Sequence, residues 1–474
     1  MPDLREQVKN EGFCLLALCR DLSEFVSSGQ TRKTYLRQTE DFLEEYIVKS
    51  LKSIEKAVRE AVEQQIDEEL LKSKLREFES IKKALSLLYV LTKEAIDSDT
   101  LSIPYSLTTL LNDIVKKVEG SELVGLVVLG SSDLMYYKYN LERLRKLTRN
   151  LGFVIKDYPV LPEDIGILKF PYSAAHDVLE NCILFHEMGH YIYERTELEK
   201  SFLKKIEKDL VKFVIEEKVL EKLKPLQPHV AWNRLSMYVN GLMAAWADEI
   251  FADILAIRIL GPAFHLACLQ MEHILPTNIE GDKDFSRTHP ADNFRFKTHA
   301  EWLKEGGWNN VIAKRTPEIS KRLEDCKKLE LKDFKIECLP PLEGKKDLEE
   351  KLHKWMLEKF GEMVLKIERK VSDKVAKVER PIDDFTANDG LVTEYLEHGV
   401  VPSTVCDEQK NKYHPNPTTI LNSGFFFYLG GMKKLIEKIR AKVSQPEKRL
   451  KYEKRLNEWL AKAIEDWQIL QMGK

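Results

Sequence analysis

The chain has 474 residues and a nearly balanced charge, with 74 basic and 77 acidic side chains and a formal net charge of −3. This balance leaves no basic footprint for a nucleic acid and no polybasic patch for a membrane surface. The first residues are charged rather than apolar, so no signal peptide is expected, and no uninterrupted run of about 18 apolar residues could span a bilayer. Composition therefore predicts a cytoplasmic protein with no transmembrane segment and no nucleic-acid partner.

Composition also limits the architecture. A charged fraction of 32 % with only 21 glycines is typical of helix-rich proteins, and this length allows roughly two to four domains. The seven cysteines are scattered, with no close pair of pairs, which favours reduced thiols over a structural zinc site. We expect a predominantly helical α+β fold in three regions, 1–118, 119–310 and 311–474.

The first region, residues 1–118, carries a helical pattern. Apolar residues recur every three or four positions from Ile47 to Leu85, with charged residues between them. The pattern predicts amphipathic helices that pack as a helical hairpin or bundle within the chain. A coiled-coil surface for a partner is the alternative, and the apolar stripe does not distinguish the two.

The period changes after residue 104. Three apolar runs are expected to be strands, with a helix near Leu141–Leu147 among them; the runs are Leu123–Leu129, Phe153–Tyr158 and Ile165–Phe170. A small sheet therefore precedes the next helix. Its last strand could form an exposed edge that pairs with an extended peptide, or an ordinary edge covered by a helix, and the sequence leaves both open.

The next element contains the most informative motif of the chain, His186-Glu187-Met188-Gly189-His190. Two histidines four positions apart place both imidazoles on one face of a helix, which is the spacing that a zinc ion needs. Glu187 between them can take a proton from a zinc-activated water and pass it to a leaving group. Asp177 and Glu180 resemble a capping box, so we expect the motif within a helix. The competing interpretation is a chance pair of histidines on one helix face.

A charged amphipathic stretch follows from Glu199 to Lys224 and forms most of a helical insertion at about 197–230. Pro225 and Pro228 end it. Its place in the chain would let it cover or gate the cleft of the metal site. Its charge run could equally be a solvated helix face.

A catalytic zinc ion needs a third protein ligand, whose identity separates the classes of zinc hydrolase. Tyr193 and Thr196 stand where a metzincin would carry glycine and histidine, so that class is excluded. In the apolar helix around 246–256, burial of an uncompensated carboxylate would cost several kcal/mol. Glu249 and Asp253 lie one turn apart in it. We expect Glu249 to bind the metal and Asp253 to accept a hydrogen bond from the far nitrogen of a ligand histidine.

The third acid of this helix, Asp248, is expected to face outward. The alternative for all three acids is a solvated stripe that pairs with Arg258 or other cations. The residues that follow Asp253 are mostly apolar and leave little solvated face, which favours the interpretation as a metal site.

The last candidate element is Thr288-His289-Pro290, with Arg295 six residues after the histidine. Pro290 suits the first turn of a helix, with Thr288 or His289 at its entrance. A donor histidine beside an arginine is what the oxyanion of peptide hydrolysis needs in the transition state. The alternative is a histidine that caps a helix and an arginine in a surface ion pair. Farther on, helical patterns return at Leu348–Val378 and Leu435–Gln471.

Together these three motifs, in their order and local spacing, resemble those of the CAAX prenyl protease and HtpX-like gluzincin peptidases. The similarity covers roughly residues 120–305. It implies a zincin-like core, made of a small sheet and metal-binding helices, that is flanked by N- and C-terminal helical regions. It also implies one catalytic Zn²⁺ ion. The implied roles are zinc ligands for His186, His190 and Glu249, general base for Glu187, support of a ligand histidine for Asp253, and oxyanion and substrate contacts for His289 and Arg295.

The sequence thus predicts a zinc metallopeptidase without membrane spans, which hydrolyses peptide or protein substrates through a zinc-activated water. The intact Glu187 favours turnover over the alternative, a catalytically silent or single-substrate regulatory zinc protein that acts through partner binding. A helical scaffold without metal is a further alternative. Substrate preference and oligomeric state depend on loops and surfaces whose placement the sequence does not provide.

Overall fold

The computed structural model describes residues 4–30, 42–63, 68–97, 105–121, 125–131, 135–155, 158–159, 161, 165–222, 227–271, 283–336, 346–378, 381–431 and 445–472. The fold is α+β and predominantly helical, as the sequence predicts. Among the helices in these ranges, none combines the length and the apolar character needed to cross a bilayer.

The chain forms two compact units, one of Met1–Asn112 with Ser121–His176 and the other of Asp113–Gly120 with Asp177–Lys474. This division differs from the three regions expected from the sequence. The strands contribute to the buried core that the N-terminal helices form, so the sheet groups with those helices. In the second unit, the helices of the expected metal-binding core and of the C-terminal region pack together.

The chain begins with long helices. They are α1 (Leu4–Gln30), α2 (Lys49–Glu63), α3 (Glu68–Asp97) and α4 (Tyr105–Glu119), with a π-helical turn, Phe42–Val48, before α2. α1, α2 and α3 pack against one another. The apolar stripe that includes Ile47, Leu51 and Ile54 is buried inside this unit, as expected for an intramolecular bundle.

The sheet of the first unit has the strand order β1-β3-β2. β1 (Gly125–Ser131) runs parallel to β3 (Ile165–Pro171), and the short β2 (Tyr137–Lys138) runs antiparallel to β3. Because β3 pairs on both sides, the expectation that the last strand forms a sheet edge is wrong. The helix expected near Leu141–Leu147 is α5 (Glu142–Val154).

The prediction of a strand at Phe153–Tyr158 is also wrong. Its first two residues end α5, and Ile155 follows as the C-cap of that helix, while residues 156 and 157 lie outside the described ranges. Leu151, Ile155 and Tyr158 are buried, whereas Phe153 is 89 % exposed. Burial therefore repeats every three or four residues, as on a helix, and not at every second residue as in a strand.

The second unit is almost entirely helical. Its helices after a 3₁₀ turn, Glu180–Ile183, are α6 (Leu184–Glu194), α7 (Leu198–Glu216), α8 (Val219–Lys222), α9 (Pro228–Leu260), α10 (Pro262–Met271), α11 (Asp292–Glu305), α12 (Asn309–Arg315), α13 (Pro317–Lys327), α14 (Lys346–Val375), α15 (Pro381–Glu397), α16 (Pro417–Phe426) and α17 (Gln445–Met472). Two short strand pairs accompany them: parallel β4 (Asp284–Phe285) with β5 (Lys335–Ile336), and antiparallel β6 (Val405–Cys406) with β7 (Lys412–Tyr413).

The central helix of this unit is α9. It packs against α6, α7, α11 and α14. From Trp246 to Leu260 nearly every residue is buried. A helix that is apolar on all sides must be surrounded by other elements, so the buried acids Glu249 and Asp253 face neighbouring elements rather than bulk water.

The insertion helix α7 is packed onto its neighbours. Phe202, Ile206 and Leu210 are buried, which follows from the contacts of α7 with α9 and α14. On its charged side, Lys205 lies 2.7 Å from Glu362 of α14. The inner face of the insertion is therefore part of the core, and the charge run forms ion pairs at its edge.

An aromatic cluster holds the segment that leads into α11. Its ring centroids lie between 4.8 and 5.9 Å apart, and its members are Trp246, Phe285, Phe294, Phe334 and Phe360. The Trp246 indole also donates a hydrogen bond to the backbone carbonyl of Ser286 at 2.9 Å. This cluster therefore anchors the segment to α9 near Glu249.

Candidate metal centre

The motif helix α6 is buried on almost all sides. It continues the preceding 3₁₀ turn, where the Asp177 carboxylate accepts a hydrogen bond from the backbone N–H of Glu180 at 2.9 Å. The capping box expected from Asp177 and Glu180 does not form, because the N-cap residues are Leu179 for the 3₁₀ turn and Ile183 for α6, and neither has a side-chain cap. Every residue from Leu184 to Gly189 is buried. The motif therefore lies on a helix inside the protein.

Gly189 determines how closely α6 approaches α9. A Cβ atom added to Gly189 would lie 2.5 Å from the Ala252 Cα atom and 2.9 Å from the Ala252 Cβ atom. Carbon atoms in contact prefer a separation of about 3.5–4.0 Å, so only glycine fits here. Gly189 lies within the motif, and Ala252 lies between Glu249 and Asp253. The contact therefore brings the histidines of α6 to the acids of α9.

The two histidines and Glu249 converge on one point. The Nε2 atoms of His186 and His190 lie 2.9 Å apart. Glu249 places Oε2 at 3.4 Å from the Nε2 of His186 and Oε1 at 3.6 Å from the Nε2 of His190. Two imidazole nitrogens and one carboxylate form the protein donor set of His₂Glu zinc sites. The three residues predicted as ligands are thus brought together.

The other ring nitrogen of each histidine faces a carboxylate. Nδ1 of His186 lies 2.8 Å from Oδ1 of Asp253, the partner that the sequence predicts. Nδ1 of His190 donates a hydrogen bond to Oδ1 of Asp248, also at 2.8 Å. The expectation that Asp248 faces outward is therefore wrong, because α9 directs this carboxylate toward His190 although 31 % of the side chain remains exposed.

Burial and neighbouring charges act in opposite directions on these groups. Burial lowers the pKa of His186, but Asp253 and Glu249 outweigh it and raise the pKa to about 10. Burial also lowers the pKa of His190, but the negative charge and the hydrogen bond of Asp248 act in the opposite direction, and the pKa of His190 is raised overall. Burial raises the pKa of Glu249, yet His186 above all lowers it to about 2. The carboxylates that favour the protonated form of His186 and His190 would, for the same electrostatic reason, favour a divalent cation between the two rings and Glu249.

Asp253 is fully buried, and Arg295 neutralises its charge. Nε and Nη2 of Arg295 donate two hydrogen bonds to the Asp253 carboxylate, each at 2.7 Å. Burial opposes ionisation, but the guanidinium group holds the pKa of Asp253 well below its usual value. The sequence placed Arg295 at the oxyanion and did not predict this ion pair. The same Nη2 atom lies 3.8 Å from Oε2 of Glu249, so Arg295 still borders the ligand set.

A buried histidine pair extends this network. Nε2 of His299 lies 3.3 Å from Oδ2 of Asp253, and Nδ1 of His299 lies 3.0 Å from Nδ1 of His265. Burial lowers the pKa of both rings, so both are neutral and one Nδ1 donates to the other. Sequence reasoning missed both residues. Their signal was weak, since a lone histidine in an apolar helix has no spacing pattern that connects it with a distant acid.

His289 lies at the exposed side of the centre. Its Nε2 atom is 3.4 Å from Oε1 of Glu249, and 53 % of its side chain is exposed. Ser286 Oγ accepts a hydrogen bond from the backbone N–H of His289 at 2.9 Å, and Thr288 Oγ1 lies 2.7 Å from its Nδ1. Burial lowers the pKa of His289. α11 begins only at Asp292, so the expectation that Pro290 occupies its first turn is wrong.

Glu187 lies beside the ligand histidines. One carboxylate oxygen of Glu187 and one ring nitrogen each of His186 and His190 all lie within 4.8 Å of one another. Glu187 is also buried, with 6 % of the residue exposed. The motif residues therefore share one site, with the carboxylate of Glu187 next to the imidazoles.

The residues present fit a zinc ion. Oε2 of Glu249 is buried and makes no hydrogen bond of good geometry within the described part of the chain, although Nε2 of His186 lies 3.4 Å away. A buried carboxylate oxygen without a partner is unfavourable by about 1–3 kcal/mol or more. A cation held between this carboxylate and the two Nε2 atoms would supply the missing interaction. Two imidazoles and one carboxylate, with a second carboxylate facing each ring, are compatible with the ligands that zinc takes in proteins.

Comparison of the chain with models of protein families, with curated proteins and with solved structures gives no match. The functional interpretation therefore depends on the residues and their geometry.

The contact between Gly189 and Ala252 is testable by substitution. Gly189→Ala forces α6 away from α9, and overpacking of this kind lowers the free energy of unfolding by about 1–3 kcal/mol. Gly241→Ala in α9 is the matched control, because among the described residues no atom beyond the helix's own neighbouring backbone lies within 4 Å of the added methyl group. Since alanine favours a helix by about 0.5–1 kcal/mol, the control should be neutral or stabilising. Urea unfolding compares the two, and equal midpoints would contradict the close approach.

The ion pair between Arg295 and Asp253 gives a second prediction. Arg295→Met leaves a buried carboxylate without its counter-charge, and breaking such a pair lowers the free energy of unfolding by about 3–5 kcal/mol. Adding Asp253→Asn removes the charge and should restore part of that loss. Arg59→Met is the control, because it breaks an exposed pair with Glu55 that is worth at most about 1 kcal/mol. Both variants are compared by urea unfolding. If Arg295→Met lowers the free energy of unfolding no more than Arg59→Met does, Arg295 does not neutralise the buried charge of Asp253.

Proposed function

We propose that this chain is a zinc metallopeptidase with a zincin-like centre of the gluzincin type, which acts on peptide or protein substrates in the cytoplasm. The observation that carries the proposal is the convergence of the two Nε2 atoms of His186 and His190 with the carboxylate of Glu249. These three residues would hold one ion. When bound, zinc supplies Lewis acidity, which activates water and polarises a carbonyl group.

Glu187 would hold and move the proton in this reaction. Its carboxylate lies beside the ligand histidines in a buried position, where the charge of a base acts strongly on a neighbouring water. In peptide hydrolysis the base accepts a proton from the attacking water and delivers it to the departing amine. Because Glu187 lies on the same helix as the two histidines, the backbone of α6 fixes its position relative to them.

His289 would contact the substrate. It is exposed where it borders Glu249, so a substrate carbonyl group can approach it. The Thr288 hydroxyl can donate to Nδ1, which leaves the N–H of a neutral ring on Nε2. This N–H would donate to the substrate oxygen as that oxygen gains negative charge. Arg295 would act through its positive charge, since Asp253 engages two of its donors.

Substitution of the proposed base tests this function. Glu187→Gln should retain one zinc ion per chain and lose about 10²–10⁴-fold in peptide hydrolysis, because the amide cannot accept the proton. Zinc content is measured by elemental analysis, and hydrolysis by mass spectrometry of an unbiased peptide library. Glu194→Gln, the same change at the end of the same helix, is the control and should keep both zinc and activity.

The outcomes separate the alternatives. Full activity of Glu187→Gln would refute its role as the base. A wild-type chain that binds zinc but cleaves nothing in the library or in a whole cell extract would favour the silent regulatory protein. A wild-type chain that binds no zinc would leave only the helical scaffold.

A further inference from the structure

The hydrogen bond between Asp248 and His190 has a function of its own. We infer that Asp248 is the positioning residue of the second ligand histidine, and that it controls how firmly and how long a metal ion is held. This inference depends on the proposed function, because it requires an ion bound by His186, His190 and Glu249. It concerns a residue that the sequence pattern alone placed outside the site.

The two ligand histidines are held to different degrees. The ring of His186 stacks on Phe264, with centroids 6.0 Å apart and planes inclined by 8°. Its Nδ1 atom faces Asp253, which is fully buried and fixed by the two hydrogen bonds from Arg295. Packing and a clamped carboxylate therefore both determine the orientation of His186.

His190 has less support. The two rings are buried to nearly the same degree, with 12 % of the His190 side chain and 8 % of the His186 side chain exposed, so the difference lies in the carboxylates that face them. The hydrogen-bond acceptor that the described residues offer its Nδ1 is Asp248, whose side chain is partly exposed. When Nδ1–H donates to this carboxylate, the lone pair of a neutral ring lies on Nε2 and faces the ligand set. Asp248 thus selects both the tautomer and the orientation that metal binding needs.

The arrangement divides the centre between two helices. α6 supplies both imidazoles, and α9 supplies the carboxylate ligand together with the carboxylate that faces each ring, Asp248 for His190 and Asp253 for His186. Adjacent residues on a helix point about 100° apart, which allows Asp248 and Glu249 to approach His190 from different sides. The two supporting carboxylates differ in exposure, since 31 % of the Asp248 side chain is exposed and none of the Asp253 side chain is.

Metal exchange tests the inference with the full chain. Asp248→Ala should raise the dissociation constant for zinc about 10–100-fold, mainly through faster release to a chelator. It should also change the visible absorption spectrum of the Co²⁺-substituted protein, because the ring of His190 loses its fixed orientation. Asp248→Asn should retain a large part of the affinity, since its amide oxygen can still accept from Nδ1. Asp209→Ala is the matched control, a partly exposed acid 3.5 Å from Lys359.

The results separate this inference from the proposed function. Wild-type protein that binds no zinc overturns both. If the wild type binds zinc but Asp248→Ala keeps its release rate and Co²⁺ spectrum, only the role of Asp248 is overturned. Equal losses in Asp248→Ala and Asp209→Ala would show a general loss of structure and overturn it as well. If the alanine variant does not fold, Asp248→Leu takes its place, because leucine has nearly the shape of aspartate but accepts no hydrogen bond, and a wild-type release rate in that variant overturns it.

Discussion

The candidate centre depends on the close approach of two helices. Where α6 meets α9, the hydrogen of Gly189 faces the backbone of Ala252, and no larger side chain fits between them. Gly189 lies between His186 and His190 in α6, and Ala252 lies between Glu249 and Asp253 in α9, so the contact is next to both pairs of residues. It therefore sets the distances within the centre, since the positions of the ring nitrogens and carboxylates follow from the backbone. An extra methyl group would move all of them together.

The second constraint is the placement of charge in a buried space. Asp253 has no exposed surface; Arg295 donates two hydrogen bonds to it, and ring nitrogens of His186 and His299 lie 2.8 and 3.3 Å from its oxygens. A buried ion pair of this kind adds little to stability compared with a well-packed apolar core. Its value here is geometric, because it keeps one imidazole turned toward Glu249. Arg295 would therefore support the proposed metal ligand His186 through Asp253.

Much of the centre could be predicted from the sequence, and the reasons are local. The spacing of His186 and His190 on a helix, and that of Glu249 and Asp253 on another, follow from the helical repeat. The isolated acids in an apolar helix signalled that something must compensate them. What could not be predicted depends on how the helices cross. Asp248 lies next to Glu249, and only the direction of α6 decides whether it meets His190 or water.

In the fold as well, features with a regular local pattern are predictable from the sequence, and features that depend on long-range packing are not. A long, regular apolar stripe predicts the helical bundle, whereas the short run at Phe153–Tyr158, which begins with three apolar residues, predicts a strand that does not form. Its burial follows the helical repeat from Leu151 onward, and packing of α5 decides it. The partition into two units likewise depends on which surfaces the sheet and the helices share. Such long-range contacts leave no periodic signal in the sequence.

X-ray absorption of the zinc-loaded chain, at the zinc edge, tests the central claim most directly. Two imidazoles and oxygen donors at about 2.0–2.2 Å are predicted for the wild type, and one imidazole fewer for His190→Ala. Glu249→Ala should lose most of the bound zinc. The account would be contradicted by sulfur ligands at about 2.3 Å, or by full zinc binding in both variants.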